Sequence, residues 1–519
     1  MTRTLRLAAI SCALLGLGLG CGNKSAPPPK VKEDATAGPT AAPLAMPVLG
    51  VDQIKRFNFL YDAGATAHDK ALAAYRKKDW PTVRTQAEAA LAKDAMHLGA
   101  HRLLASALAQ TGEPAAAVDH LVTAIAADYY QYAPTLADDD LRSYMTSPHG
   151  QAVAGLAAKI RDEYGKRIAG ALWLVGRRSA FRWPRELGVQ PSTSRGELYA
   201  FDRESKRFFR LTHTDHQVAG FVRPAAGNEV ALVGFDKIDR PRTEDTAPQL
   251  ARPWIQIYDT VAWQPTTPRI ALPAAREVTL GYGSGDQLLV STAAATGRWT
   301  TGEPAISSVD KATGKLTKVA SALPPTRIVL SLDEGHIVRV PDSVVAAWAG
   351  DPPVVGSLKT ATGAAIQVPE SGAASQATVA VSPTGAHVAF ATAADPCAKD
   401  AAPSLYVADA RTGTYKHLLS ARSRFATRWV DANVLAYEDG DGAIRLWDAT
   451  TGREAMRLEH KLGIALDVLS LAAASLCKQA PPTVDVAGSG ASDEPLPPEE
   501  AADAGAASGS ASGPVTAPR

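Results

Sequence analysis

The stretch IRLWDATTGR, residues Ile444–Arg453, shows most clearly a pattern that recurs through the second half of the chain. Alternating apolar residues lead to an Asp, and Ser or Thr with Gly or Lys follows within a few residues. The alternation predicts a strand. The Asp and Gly predict a tight hairpin, because the carboxylate caps the turn and Gly accepts a positive φ. The copies are Leu198–Lys206, Ile255–Asp259, Ile306–Lys315, Val355–Ala364, Leu405–Thr414 and Ile444–Arg453.

A second predicted hairpin precedes most of these copies, so each unit contains about four short strands within 40–57 residues. Radial repetition of four-stranded units is typical of a β-propeller. We therefore expect residues 169–477 to form an all-β propeller of six blades, with an irregular sandwich as the alternative. Residues 171–183 and 462–476 are candidate closing strands, and the count becomes seven if they form a blade of their own.

Two segments of this region resemble known propellers. Ile444–His460 resembles a WD-repeat blade, with Trp447 and Asp448 as its dipeptide, and Val381–Thr392 resembles the Tol-type and peptidase-type propellers. The dipeptide occurs in one copy, and the unit that contains it has no Gly-His pair of the kind found in WD repeats. The resemblance therefore implies a divergent propeller.

Residues 49–168 are rich in Ala and Leu, and two stretches, 67–95 and 101–129, align at an offset of 34 residues. Small residues recur where paired helices must approach closely, as at Ala71 and Ala105. Period and pattern resemble tetratricopeptide repeats. Residues 130–168 are interpreted as a third, degenerate helix pair that starts at Pro134 and Pro148. The resemblance implies a groove that binds a peptide or partner; the alternative is a helical cap on the next domain.

The N-terminus has the features of an export signal. A charged start with Arg3 and Arg6 precedes a short apolar stretch that ends in GLGC at Cys21. This resembles a bacterial lipobox, which implies cleavage of residues 1–20 and lipidation of Cys21; the alternative is a plain secretory signal. By the same resemblance, Gly22 after the Cys favours the outer membrane, facing the periplasm.

Two segments of biased composition flank the predicted domains. Residues 21–48 are rich in Pro and Ala and are interpreted as a linker. Residues 478–519 are an acidic, low-complexity tail that we expect to be disordered, because it holds too little apolar surface to offset the entropy of ordering.

Four cysteines are present. Cys12 leaves with the signal and Cys21 takes the lipid, so Cys397 and Cys477 remain. In an oxidising periplasm they predict one disulfide, with two unpaired thiols as the alternative.

The charge balance limits the possible partners. The chain has 519 residues, with 54 Lys and Arg against 53 Asp and Glu. This balance argues against nucleic acid as a partner, because strongly basic patches carry that binding. No apolar run is long enough for an integral membrane domain, so we expect membrane contact only through the lipid.

No metalloprotease helix motif, phosphate-binding loop, nucleophile elbow or Cys-x-x-Cys pair occurs. We therefore predict no catalytic residues, no metal and no cofactor. Five weaker groups are each interpreted as structural. They are the histidine set His97, His101 and His120, the polar loop His213–His216, the turns Gly281–Asp286 and Glu438–Gly442, and the helix cap Asp138–Asp140. Six Trp in or beside strands are expected to pack mostly between blades: Trp254, Trp263, Trp299, Trp348, Trp429 and Trp447.

These observations favour a non-catalytic, lipid-anchored envelope protein that acts as a scaffold for a protein or peptide partner. One alternative is a hydrolase or lyase whose site lies in the propeller channel, with His336, His387 and Arg428 as candidates from separate blades. Another is a carbohydrate- or peptidoglycan-binding lipoprotein that uses exposed Trp or Tyr.

Overall fold

A computed structural model describes the central part of the chain. The described residues are 43–57, 63–176, 179–182, 192–224, 227–239, 249–275, 277–282, 287–294, 305–319, 336–340, 344–349, 354–360, 365–366, 373–374, 380–382, 384, 386–393, 404–420, 427–439, 443–459 and 464–465. The chain divides into two units at Ala42, and all described elements belong to the unit that begins at Pro43. Cys21, Cys397 and Cys477, and therefore the lipidation and disulfide predictions, lie outside the described residues.

The N-terminal part is helical, as the sequence predicts. Its α-helices are α1 (Ala65–Arg76), α2 (Trp80–Lys93), α3 (Leu98–Gln110), α4 (Pro114–Ala127), α5 (Tyr129–Tyr132), α6 (Arg142–Met145) and α7 (Pro148–Ala169). Short 3-10 helices span Ile54–Phe57 and Ala133–Ala137. Helices α2, α4 and α7 each have Pro in the first turn, where the missing N–H costs no hydrogen bond.

Equivalent positions of the first two helix pairs have the same environment. Helix α2 starts at Trp80 and α4 at Pro114, which is the predicted offset of 34 residues. Ala71 and Ala105 are fully buried, as are Ala90 and Ala124, so small side chains stand where the helices pack closely. The helix pairs are observed, while their assignment to the tetratricopeptide family rests on the sequence resemblance.

The predicted third helix pair is only half formed. Helix α7 begins at Pro148 as predicted, but around Pro134 there is a 3-10 turn rather than a long helix. Asp138–Asp140 were expected to cap a helix starting at Leu141, and this prediction is wrong: α6 has no side-chain cap. Asp138 and Asp140 instead pair with the buried Arg102 of α3, which draws them away from the helix end.

The rest of the described chain forms antiparallel sheets in chain order. Sheet 1 contains β1 (Leu172–Gly176), β4 (Leu198–Asp202), β5 (Arg207–Arg210) and β29 (Ile464–Ala465), and a two-stranded ribbon of β2 (Ser179–Arg182) and β3 (Ser192–Arg195) follows β1. Sheet 2 contains β6 (Val218–Val222), β7 (Glu229–Gly234), β10 (Trp254–Asp259) and β11 (Ile270–Ala271), with a ribbon of β8 (Lys237–Asp239) and β9 (Gln249–Ala251). Sheet 3 contains β12 (Glu277–Tyr282), β13 (Leu288–Ala293), β14 (Ala305–Val309) and β15 (Leu316–Lys318).

Three further sheets follow. Sheet 4 contains β16 (His336–Val340), β17 (Val344–Ala349), β18 (Val354–Thr360) and β19 (Ala365–Ile366). Sheet 5 contains β20 (Ala373–Ala374), β21 (Ala380–Val381), β22 (His387–Ala393), β23 (Ser404–Asp409) and β24 (Tyr415–Ser420). Sheet 6 contains β25 (Thr427–Trp429), β26 (Val434–Glu438), β27 (Ile444–Asp448) and β28 (Arg453–Leu458).

The Asp-containing hairpin turns have the predicted geometry. In sheet 6 the Asp448 carboxylate accepts a hydrogen bond from Thr450 N at 2.8 Å, and Gly452 has φ +64°. Asp310 and Asp409 make the same contacts, and their glycines, Gly314 and Gly413, both have φ +71°. In sheets 1 and 2 the residues at this left-handed position are Lys206 and Trp263 instead of Gly.

The two ends of the β region meet in sheet 1. Strand β29 pairs antiparallel with β1, where Val175 faces Ala465 and Gly176 faces Ile464. The predicted closing segments therefore pair with each other. Side chains of sheets 1 and 6 also share one buried cluster, including Leu174 of β1 and Leu446 of β27. The last of the described sheets thus packs against the first.

A short segment, residues 49–51, joins the helices to sheet 1, and we call it the strap. Val51 and Phe208 of β5 exchange two backbone hydrogen bonds, of 2.9 and 2.7 Å, and Gly50 N donates to Ala126 O at the end of α4. A Cβ on Gly50, whose φ is +66°, would lie 2.6 Å from Phe208 O, so only glycine fits here.

Candidate functional site

The junction between the helices and the first two sheets is the most densely hydrogen-bonded region among the described residues. Asp128, directly after α4, is 1% exposed, and its carboxylate lies 3.0 Å from Nε2 of His213. Arg210 of β5 approaches the same carboxylate at 3.9 Å. A helical carboxylate thus pairs with two cationic or hydrogen-bonding groups of the sheet region.

Glu197, fully buried before β4, continues this junction. Its carboxylate accepts hydrogen bonds from Thr212 Oγ1 at 2.6 Å, Thr214 N at 2.7 Å and His216 N at 2.8 Å, and it pairs with Arg210 at 3.3 Å. Burial lowers the pKa of Arg210, but the charges of Glu197 and Asp128 more than offset this and raise it. One carboxylate therefore holds the whole loop that connects sheet 1 to sheet 2.

The loop His213–His216, interpreted from the sequence as a polar loop, packs into this junction instead of standing in solvent. Thr214 and His216 are buried, and His213 pairs with Asp128. The sequence contains no local sign of this, because Asp128 and Glu197 lie far from the loop along the chain. Within the described part of the chain, no group of three or more His, Cys, Asp or Glu side chains is arranged to hold a metal ion.

Of the three helical histidines, His97 and His101 are buried and His120 is half-buried. His101 Nε2 contacts the Ala95 carbonyl at 3.0 Å and His101 Nδ1 contacts His120 Nδ1 at 2.8 Å. A carbonyl only accepts, so in neutral His101 Nε2 carries the proton and Nδ1 accepts from His120. His97 caps α3 by accepting from Ala100 N through Nδ1. All three rings therefore make contacts within the helical region.

Of the three channel candidates, the two whose side chains are described, His387 and Arg428, contact different partners. His387 stacks on Trp429 at 5.8 Å between ring centroids, whereas the Arg428 guanidinium lies 3.6 Å from the ring centroid of Phe221. Neighbouring residues of a strand point to opposite faces, so Arg428 and Trp429 serve different sides of β25. The side chain of His336 lies outside the described set.

The remaining candidates are turn residues or buried aromatic rings. Asp439, beside the β26–β27 turn, accepts from Ala443 N and pairs with Arg445 Nε, each at 2.9 Å, as in the predicted hairpin; Gly440–Gly442 are not described. Of Gly281–Asp286 only the first two residues are described, and they end β12. Trp254, Trp263 and Trp429 are buried, while Trp447 is partly buried under Lys416.

The sequence reasoning missed a cluster of arginines and aromatic rings between sheets 1, 2 and 6. Trp173 of β1 lies 5.8 Å from Phe221 of β6 between ring centroids, and Arg223 lies 4.2 Å from the ring centroid of Trp173. Tyr130 of the helical region reaches the same cluster through Trp263, which lies 5.0 Å from Trp173. No local pattern marks these residues, because each comes from a different strand or turn.

Two open clefts lie elsewhere on the described surface. One, of about 420 Å³, is lined by Asn228, Glu229, Asp259 and Lys311 between sheets 2 and 3. The other, of about 330 Å³, lies between β5 and β28 beside the strap. Their walls contain ion pairs and turn residues such as Lys311–Glu229 and Asp259. None of the described helices has the length and apolar character needed to cross a membrane.

No family model and no curated protein matches this sequence. Among solved structures, the tricorn protease aligns at 12% identity with a TM-score of 0.33, over 56% of this chain and 26% of the protease. An oligogalacturonate lyase in complex with manganese aligns at 14% identity with a TM-score of 0.28, over 56% of this chain and 79% of the lyase. The lyase from Vibrio parahaemolyticus aligns at 12% identity with a TM-score of 0.28, over 55% and 79%. This chain therefore spans about a quarter of the tricorn protease, and these low scores assign it no activity.

Proposed function

We propose that this protein is a non-catalytic, lipid-anchored envelope scaffold that binds a protein or peptide partner through its helices and a β-propeller. The observation that carries the proposal is the shared core of the two regions. Val118 of α4, Ile160 of α7 and Val218 of β6 belong to one buried cluster. Shared packing of this kind holds exposed faces of helices and sheets at fixed relative positions, as a platform for a partner requires.

The propeller itself is part of the proposal. Six successive sheets of four or more strands, with β29 completing sheet 1 and sheet 6 packed on sheet 1, support a ring of six blades. Edge strands of neighbouring sheets also contact each other: β6 lies beside β12, and β21 lies beside β25. An experimental structure of the chain would test the blade number.

The lipid anchor is proposed from the sequence, and it places the platform at the envelope. Arg207 donates from Nε to Leu49 O at 2.7 Å and from a terminal nitrogen to Gly50 O at 2.6 Å. The chain is therefore held against strand β5 at residues 49 and 50. A Cys21→Ser variant should lose lipid labelling and leave the membrane fraction.

Crosslinking of intact envelopes, followed by purification through a C-terminal tag and mass spectrometry, tests the scaffold function. We expect a stoichiometric partner with crosslinks to lysines of one face, such as Lys77 and Lys159. The matched control is the Cys21→Ser variant, which should fold but lose the envelope partner. Recovery of no partner above background, from envelopes where the protein is abundant, would contradict the proposal.

A further inference from the structure

Two guanidinium groups lie against one pair of aromatic rings in the interior of the sheet region. Trp173 and Phe221 are 5% and 7% exposed, so the ring pair is part of the core. Arg223 covers Trp173 at 4.2 Å and Arg428 covers Phe221 at 3.6 Å, measured from Cζ to the ring centroid. The two arginines come from β25 and from the end of β6, the edge strands of sheets 6 and 2.

Arg223 differs in its surroundings from Arg210 and Arg445, two arginines of the described chain that are paired with carboxylates. Arg210 pairs with Glu197, and Arg445 pairs with Asp439. Among the described residues no carboxylate comes within ion-pair distance of Arg223, and burial lowers the pKa of its guanidinium. The indole removes water from one face of this cation, while the residue as a whole remains exposed to solvent.

A cation held in this way is suited to an anion. A ring face compensates a partly desolvated guanidinium only in part. The planar fork of N–H donors remains available and matches carboxylate or phosphate oxygens in a bidentate arrangement. A second guanidinium, that of Arg428, lies on the same ring pair.

We propose that Arg223, backed by the Trp173–Phe221 ring pair and flanked by Arg428, forms a binding site for an oxyanion group of a small ligand. The shared chemistry is a carboxylate or phosphate group that pairs with the guanidinium of Arg223 on the side away from the indole. The proposal does not depend on the scaffold function.

The test uses the purified full chain without its lipid and the probes citrate, inorganic phosphate and sodium chloride at matched ionic strength. Isothermal titration calorimetry measures the affinity. Trp173 is one of nine Trp, and the difference in fluorescence between the wild-type chain and a Trp173→Phe variant gives the signal of Trp173 alone. We expect saturable binding of citrate or phosphate, weakened at least tenfold by Arg223→Gln and less by Arg223→Lys. The matched control is Arg252→Gln, since Arg252 is exposed and pairs with Asp236.

Saturation by citrate but not phosphate would assign a carboxylate ligand, and the reverse would assign a phosphate ligand. Equal affinities of the wild-type chain and Arg223→Gln would overturn the proposal, as would a response to ionic strength alone. Melting curves separate loss of binding from loss of fold. If Arg223→Gln unfolds, the milder Arg223→Lys variant decides, because the proposal requires it to bind with reduced affinity.

Discussion

Asp128 and His213 are 85 positions apart in the sequence, yet the Asp128 carboxylate lies 3.0 Å from Nε2 of His213. One residue ends the repeated helices and the other begins the loop between sheets 1 and 2. Because Asp128 is almost fully buried, this contact joins the two regions where solvent does not compete.

Replacing Asp128 with Ala should strongly destabilise the protein. The change leaves His213 without its buried acceptor and leaves Arg210 with Glu197 as its one carboxylate partner. Breaking a buried pair on one side costs about 3 kcal/mol. Urea unfolding followed by circular dichroism measures the free energy of unfolding. The matched control is Asp139→Ala, which removes an exposed ion pair with Arg142 and should change little. Similar losses for both variants would contradict the structural role of the junction.

Replacing Glu197 with Gln should loosen the loop that this carboxylate holds. An amide keeps one accepting oxygen but turns an N–H₂ group toward the donors of Thr212, Thr214 and His216, which costs about 2–4 kcal/mol. Hydrogen exchange should accelerate at the amides of Thr214 and His216. The control Glu204→Gln lies exposed in the β4–β5 turn and should leave exchange unchanged. Unaltered protection in the Glu197 variant would count against this account.

Two Gly→Ala substitutions should have opposite effects. At Gly112, φ is +85° and no atom lies near the added methyl group, so Ala should destabilise by about 1 kcal/mol through its backbone alone. At Gly155, inside α7, the methyl group also has open space and φ is not positive, so Ala should stabilise by about 0.5–1 kcal/mol. Thermal unfolding of both variants checks the sign, and a shared sign would refute the left-handed turn at Gly112.

Stability should fall as the pH drops below about 6.5, the usual pKa of histidine. Burial lowers the pKa of both His101 and His120, and each ring lies close to another histidine. Below pH 6.5 the unfolded chain binds protons that the folded chain excludes, which removes up to about 1.4 kcal/mol per pH unit for each histidine. Single protonation of His120 keeps its Nδ1–H donor, whereas protonation of both rings breaks the contact.

The measurement is urea unfolding at pH 7.5 and pH 5.5. The double variant His101→Gln with His120→Gln should show a smaller loss between these pH values than the wild-type chain. His417→Gln, at an exposed histidine, should keep the full loss. An equal loss in the double variant and the wild-type chain would disprove the contribution of this pair.

Local patterns were sufficient to predict the first two helix pairs and the hairpins, but not the third helix pair. The offset of 34 residues positions α2 and α4, and each Asp-containing turn has the carboxylate contact and positive φ that its residues predict. Such features depend on residues within a few positions of each other. Lys206 and Trp263 adopt the same left-handed conformation as the glycines of the other turns. The turn geometry is therefore the same even where the glycine that predicts it is replaced.

The sequence by itself determined the order of the regions, a helical segment followed by repeated antiparallel units, because period and turn chemistry are local. Only the tertiary structure decided the junction of Asp128 with His213, the burial of the His213–His216 loop and the arginine–aromatic cluster at Trp173. Each of these joins residues that are far apart in the chain. Their energies come from burial and from pairing across elements, and such contacts leave no pattern in any single stretch of sequence.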